Sequence, residues 1–307
     1  MKALHYDRFG ELDVLQVGEV PDPHIGPDSL LVKVVAAGLN PVDYKLRQGH
    51  LEGLIDTVFP AVPAWDVAGV VVRPGLDTPE FAAGDEVLAY ARKDVVQGGT
   101  LAELVSVPVR TAAHKPAAVG FEQAAALPLA GLTALQSVRR SGLKAGDAVL
   151  VHAAAGGVGS FATQLALLAG ARVVGTAGEG NHDYLRSLGA APVAYGEGLA
   201  ARARELEPDG FDVVLDYVGG EAMDVTGALL KRGGSVVSIT DGRAASQFGG
   251  QSIWVRPSSD DLAELVGLVA DGRLQVNIAE VFDLDHAVDA YRALERGHTR
   301  GKIVVRM

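Results

Sequence analysis

Cysteine is absent from all 307 residues of this chain. Its absence excludes disulfides, thiolate nucleophiles and every zinc site built on sulfur. Long apolar runs are also missing. No stretch approaches the ~18 uninterrupted apolar residues of a membrane span, and Lys2, His5 and Asp7 bring polarity to the N-terminus before any apolar run of signal-peptide length. The expectation is a cytoplasmic protein with no membrane partner. Basic residues are the minority, 27 Lys and Arg against 38 Asp and Glu, for a formal net charge of -11. That balance excludes a broad phosphate-binding surface, and the chain lacks the basic, aromatic-studded stripe of a nucleic-acid module, so no nucleic acid is expected. A local pocket can still hold a cofactor phosphate. The eight histidines show no H-x-x-x-H spacing, which removes the usual signature of a His-built metal site.

What is present suits a large buried core: 48% of residues are hydrophobic, and a chain of this size usually divides into two domains with a cleft between them. Up to about Ala113, short β-branched runs such as Leu30 to Val35 and Val67 to Val72 are cut by Gly, Pro and Asp, which predicts an irregular, barrel-like β domain. Phe81 to Tyr90 reads as a turn delivering a strand, and Leu101 to Val107 as another. Glu122 to Arg139 is Ala- and Leu-rich at helical spacing, broken by Pro128 and Gly131. Next come a strand at Ala148 to Val151, a helix at Phe161 to Leu168, a strand at Arg172 to Gly175, a helix at Tyr184 to Leu188 and strands at Val213 to Leu215 and Ser235 to Ile239. Such βαβ alternation predicts a parallel sheet. Thr240 to Gln251 is polar and Gly-rich and reads as a mobile loop. Asp261 to Val269 and Asp285 to Leu294 read as helices, and Lys302 to Val305 as a closing strand that rejoins the first domain.

The sharpest signal is Val149-Leu150-Val151-His152-Ala153-Ala154-Ala155-Gly156-Gly157-Val158-Gly159, a strand and a Gly-rich turn leading into a helix. Aligned on G-x-G-x-x-G it places Ala154, Gly156 and Gly159 at the motif positions, with alanine at the first. Gly156 lets the backbone approach a dinucleotide pyrophosphate and Gly159 lets helix pack on strand; the helix N-terminus supplies free N–H groups. Cofactor preference is decided at the end of the next strand, Gly175-Thr176-Ala177-Gly178, where an NAD-binding protein usually carries an acid. None ends the strand. Glu179 follows within reach of a ribose hydroxyl, while Asn181, His182 and Arg186 offer groups for a 2′-phosphate, so NADPH is favoured, with NADH possible.

Four segments together resemble the zinc-independent quinone oxidoreductase branch of the medium-chain dehydrogenase/reductase superfamily, which includes zeta-crystallin-like proteins and enone reductases. They are Ala37 to Gly49, Asp66 to Val71, Ala154 to Gly159 and Gly301 to Val304. The resemblance implies an α/β fold class: a GroES-like β-barrel catalytic domain of residues 1–119 and 257–307, and a Rossmann doubly wound parallel-sheet domain of residues 120–256. It implies that Gly157 and Val158 touch the pyrophosphate, that Tyr195 and the Gly178 to His182 loop flank the adenosine end, and that Ile239, Thr240 and Thr133 contact the cofactor. Asn40, Tyr44 and Lys45 become candidates to stabilise a developing oxyanion, with Lys45 alternatively on the cofactor ribose. Asn40 read without the resemblance is a turn amide beside Pro41, and Tyr44 a packed aromatic. Asp43 and Arg47, four apart, suit an ion pair. Two departures stand out: Gly178-Glu179-Gly180 replaces the Ser and Arg or Lys common in that loop, and Trp65 replaces a glycine, where its ring either narrows a substrate pocket or packs.

Zinc-dependent relatives polarise an alcohol or carbonyl with a metal, and this chain lacks their ligands. Reducing a quinone or an electron-poor alkene needs mainly proximity and hydrogen bonds to the oxyanion. The expected function is therefore NAD(P)H-dependent reduction of a small quinone or α,β-unsaturated carbonyl, with no zinc. The alternatives are an enoyl-thioester reductase of the same branch and a non-catalytic NADPH-binding redox sensor. A homodimer joined near Gln251 to Val255 is the expected assembly.

Overall fold

The β-branched segments of the N-terminal part become strands, each closed by the Gly, Pro or Asp that follows it. In chain order these are β1 (Lys2–His5), β2 (Gln16–Glu19), β3 (Ser29–Leu39), β4 (Thr57–Val62), β5 (Asp66–Pro74), β6 (Glu86–Tyr90), β7 (Val96–Gly98), β8 (Leu104–Pro108) and β9 (Ala112–His114), with helix α1 (Pro41–Arg47) after β3. Two helices follow, α2 (Phe121–Ala126) and α3 (Pro128–Arg140). Pro128 has no N–H to give an interior turn and so opens α3. Gly131 does not break that helix: a Cβ there would lie 2.9 Å from Leu127 and 3.2 Å from Leu265, so it is a packing glycine.

The alternating segment gives β10 (Ala148–Val151), α4 (Gly157–Leu168), β11 (Arg172–Ala177), α5 (His182–Leu188), β12 (Ala191–Ala194), α6 (Leu199–Leu206), β13 (Phe211–Asp216), α7 (Glu221–Leu229), β14 (Leu230–Ser238), α8 (Arg243–Ser246) and β15 (Gln251–Ser252). The chain ends with α9 (Ser259–Ala270), β16 (Ile278–Asp283), α10 (Ala287–Glu295) and β17 (Lys302–Arg306).

The computed structural model describes all 307 residues and falls into two units, residues 1–132 with 257–307, and residues 133–256. The first unit is built on a seven-stranded sheet in the order β16-β17-β3-β5-β6-β9, with β8 also paired to β3. β17 runs antiparallel to β3, setting Val304 opposite Gly38 and Val305 opposite Ala37, so the chain end rejoins the early strands. The first break falls after Leu132 rather than after residue 119. The reason lies at Gly38, where an added Cβ would stand 2.3 Å from the Ala125 carbonyl oxygen: α2 rests directly on the backbone of β3 and belongs with that sheet.

The second unit is a six-stranded sheet in the order β12-β11-β10-β13-β14-β15, parallel throughout. Its strands are near-continuous apolar runs because both faces are covered by helices. Leu150, Val174, Phe211, Val214 and Val236 form the middle of its core. The chain builds outward from β10 to β12, then returns to lay β13 on the other side of β10. That reversal is the switch point at which such sheets bind ligands beyond the carboxyl ends of their strands.

Candidate functional site

At the carboxyl end of β10 the chain turns sharply through Ala153, which takes a φ of 54°, and enters α4 with Gly156 as its N-cap. A Cβ on Gly159 would lie 2.1 Å from the Ala153 carbonyl oxygen, so only glycine lets the helix start this close to the strand. The first intrahelical bond runs from the Ser160 N–H to the Gly156 oxygen at 2.9 Å. The N–H groups of Gly157, Val158 and Gly159 precede it in the first turn, where a helix offers unpaired donors and partial positive charge. Ala154, at the first motif position, is buried. Its methyl is accommodated by Gly175 on β11, where a Cβ would come within 2.7 Å of the Ala154 Cβ. The glycine of the motif has in effect moved to the neighbouring strand.

Thr176 braces this turn. Its hydroxyl accepts from the Ala153 N–H at 3.0 Å and its carbonyl from the Ala154 N–H at 3.0 Å. Thr176 is buried, and its hydroxyl faces the loop backbone and the His152 ring, 3.5 Å away. His152 lies beneath the loop, 1% exposed, and burial pushes its imidazole down to about 4 in spite of nearby Asp216. It is therefore neutral near pH 7.

Beyond β11, Gly178 caps a short turn of Glu179 to Asn181 that leads into α5 at His182. Tyr195, 56% exposed just past β12, brings its hydroxyl within 3.7 Å of where a Gly178 Cβ would stand. Gly178 and Tyr195 therefore do converge. His182 Nε2 lies 3.4 Å from the Ala177 carbonyl oxygen. Arg186 is bound to Asp183 at 2.7 Å, and the polar side chains at the turn itself are Glu179, Asn181 and His182.

At the ends of β13 and β14, Ile239 donates its N–H to the Asp216 carbonyl oxygen at 3.3 Å, and Thr240 donates its hydroxyl to the Asp216 carboxylate at 3.3 Å. The stretch from Thr240 to Gln251, expected as a loop, is largely irregular around one short helix. That helix is α8, and Arg243 pins it by binding Asp241 at 2.7 Å and the Gly220 carbonyl at 2.8 Å. Those bonds hold the Asp241 carboxylate down at about 2. Thr133 is buried at the start of this unit's share of α3, and its carbonyl accepts from the Ser137 hydroxyl at 2.7 Å.

In the first unit, Asn40 follows β3 and is 2% exposed. Its Nδ2 donates to Asp66 at 2.8 Å, and its Oδ1 accepts from Lys302 Nζ. Lys302 also donates to the Leu39 carbonyl at 2.7 Å and stands 3.8 Å from Asp66. The amide is thus held in a buried network, the set of contacts that its reading as a structural turn amide calls for. Burial pushes the Asp66 carboxyl up to about 6, with Lys302 opposing, while burial lowers Lys302. Asp43 accepts from the Asn40 N–H at 2.7 Å; burial, aided by repulsion from Asp66, raises it to about 8. The expected Asp43–Arg47 ion pair does not form. Asp43 turns back to cap its own helix, and Arg47 instead meets Glu295 at 2.8 Å and stacks over Tyr291.

Tyr44 and Lys45 sit on α1, half-buried. Burial, with Glu295 nearby, raises the Tyr44 hydroxyl, so it keeps its proton and remains a donor. Trp65 is 4% exposed and meets Tyr90 edge to face at 6.0 Å between ring centroids; of its two readings, packing is the one its contacts support. No helix is long and apolar enough to cross a membrane. No group of three or more His, Asp or Glu side chains could hold a metal ion.

Sequence reasoning named the turn glycines and the Gly178–Tyr195 pair but gave no role to Asp216, Ser238 or Lys302. An acid directly ending the apolar run Val213 to Leu215 was the available signal for Asp216. Lys302 follows Gly301 in a recognised segment, and nothing local marks it as buried.

The family model for the alcohol dehydrogenase GroES-like domain matches residues 26–117, and the model described as zinc-binding dehydrogenase matches residues 188–305. The ligand set implied by the second description is not supplied by the residues present, since the chain has no cysteine and no such metal-binding group. The chain is 37% identical over 315 residues to the chloroplastic NADPH-dependent alkenal/one oxidoreductase of Arabidopsis thaliana, covering 99% of this chain and 79% of that protein. It is 35% identical over 328 residues to the chloroplast envelope quinone oxidoreductase homolog of the same plant, covering 99% and 98%. The solved quinone oxidoreductase from Coxiella burnetii matches with a TM-score of 0.89 at 35% identity, covering 100% of this chain and 99% of that one.

Proposed function

We propose, since the chain belongs to the medium-chain dehydrogenase/reductase family and to its quinone oxidoreductase branch, that it reduces a quinone or an α,β-unsaturated carbonyl with NADPH. The observation that carries this reading is the turn from β10 into α4, whose geometry demands glycine at 159 and whose first-turn N–H groups suit a pyrophosphate. A bound reduced nicotinamide supplies the hydride. The protein's own contribution is to hold the dinucleotide on the loops at the switch point and to offer donors to the acceptor's oxygen as negative charge develops there.

Tyr44 and Lys45 fill that donor role, because Tyr44 keeps its proton while the Asn40 amide is held in the buried network. Preference for NADPH rests on the end of β11, where Gly175-Thr176-Ala177-Gly178 places no carboxylate for a ribose 2′-hydroxyl, and on Asn181 and His182 at the following turn. One relative, the alkenal/one oxidoreductase, is itself named NADPH-dependent. The reading is of a reaction without zinc, which the lack of any cysteine supports. The working form is a homodimer, joined through the exposed edge strand β15 and the half-exposed Trp254 just beyond it.

The test is initial-rate oxidation of NADPH and NADH with a quinone and an enone, in the presence and absence of a chelator. Chelator-resistant turnover that is faster with NADPH is the expected result. Cofactor binding without turnover on either acceptor would remove the activity, and equal or better use of NADH would remove the coenzyme preference. Replacing Tyr44→Phe should lower kcat by roughly a hundredfold with KM little changed, the size seen when one oxyanion donor is lost.

A further inference from the structure

Asp216 ends β13, directly beside the switch point, and is fully buried. Its carboxylate gathers donors from two separate crossover loops. Oδ1 accepts from the Val218 N–H at 3.1 Å and the Gly219 N–H at 2.8 Å, both in the loop between β13 and α7. Oδ2 accepts from the Ser238 hydroxyl at 2.6 Å and the Thr240 hydroxyl at 3.3 Å, both at the end of β14. The direction of the Ser238 bond is fixed. Its Oγ already accepts from the Thr240 N–H at 3.1 Å and the Asp241 N–H at 2.9 Å, so its single hydrogen points at Asp216. The side chain of Asp216 is therefore needed as a pure acceptor, which an amide of the same shape cannot be.

The two loops are tied a second time at their outer ends. Arg243, from the β14 side, binds the Gly220 carbonyl at 2.8 Å and also Asp224 on α7. Asp216 thus works from the buried end of a brace that Arg243 completes at the surface. Resting on the dinucleotide reading above, we infer that Asp216 is a positioning residue for the nicotinamide half of the cofactor, acting through the backbone it fixes at Ile239 and Thr240. The carboxylate's hydrogen bonds all go to these two loops and none to the turn of Gly178 to His182 or to Tyr195, so the inference places its effect on the nicotinamide half and not on the adenosine half.

That separation supplies the test. Binding of NADPH and of adenosine 2′,5′-bisphosphate, a probe of the adenosine end alone, is measured by calorimetry for the wild type, Asp216→Asn and Ser238→Ala. The expected result is a loss of about tenfold in NADPH affinity for both variants, the size of one lost hydrogen bond to a charged acceptor, with the affinity for the bisphosphate unchanged. Equal losses for both ligands would show a merely structural role and overturn the inference, as would no loss for either. If Asp216→Asn does not fold, Ser238→Ala makes the same discrimination. A wild-type chain that binds neither ligand would overturn the dinucleotide reading and this inference with it, whereas wild-type binding of both ligands isolates the inference from that reading.

Discussion

In the parallel unit, Asp216 and Thr176 satisfy their buried polar atoms largely with backbone N–H groups and loop hydroxyls. In the barrel unit, Asn40, Asp66 and Lys302 meet one another through their side chains as well as the backbone of Leu39 and Leu129. The contrast follows from the sheets. Loops beyond the carboxyl ends of parallel strands carry N–H groups that no ladder consumes, and a side chain placed there can collect them. Strands β3, β5 and β17 spend most of their backbone groups on antiparallel partners, so the polar side chains buried beside them add side-chain pairs to the few backbone groups left over. One unit is braced by loop backbone and hydroxyls, and the other also by paired charges.

The largest expected effect breaks those paired charges. Lys302→Met removes the cation 3.8 Å from Asp66 and takes away the Lys302 donor of the Asn40 oxygen. Chemical denaturation should show a loss of about 3–5 kcal/mol, typical of a buried pair broken from one side; a loss no larger than that of a surface lysine would contradict the network's role.

Next in size is a backbone test of the parallel unit. Gly175→Ala drives a methyl to 2.7 Å from the Ala154 Cβ, which should cost about 1–3 kcal/mol. The double variant Ala154→Gly with Gly175→Ala moves the glycine back to the motif position and should recover most of it. An additive pair would show that the two sites do not share that space.

The two units also respond to pH with opposite signs. Asp43 is raised from 3.8 to about 8 by burial and by Asp66, so the folded state favours its protonated form; the stability it contributes is full below about pH 4 and lost as pH rises to about 8. His152 is lowered from 6.5 to about 4 by burial, so its contribution is full above 6.5 and lost as pH falls toward 4. Asp43→Asn should therefore remove a downward slope of up to about 1.4 kcal/mol per pH unit, and His152→Gln an upward one. Unfolding followed across pH 4 to 8 checks both, and variants that share the wild-type slope would refute the assignment.

Much of the fold was legible because its signals are local. The βα turn announces itself through Gly156 and Gly159, and the strands through β-branched runs. The domain break near α2 was not, because the close approach of Ala125 to Gly38 is a tertiary fact. The pairing of Asp43 and Arg47 was misread for a related reason: helical spacing brings two charges within reach of each other but says nothing of Asn40 or Glu295, which claim them first. Thr176 carries the smallest expected effect. Since its hydroxyl serves the Ala153 N–H, Thr176→Val should cost about 1 kcal/mol of stability and weaken NADPH only modestly, whereas a direct phosphate contact would lose affinity out of proportion to stability.

In the proposed reaction a bound nicotinamide passes its hydride directly to a carbonyl-conjugated acceptor. This transfer is tested most directly by turning over an enone with NADPH carrying deuterium on either face of nicotinamide C4, in buffered light water with a chelator, and locating the label by NMR. The account predicts deuterium at the β-carbon of the saturated ketone from one face only, with hydrogen from solvent at the α-carbon. Product formed without deuterium from either face would contradict it.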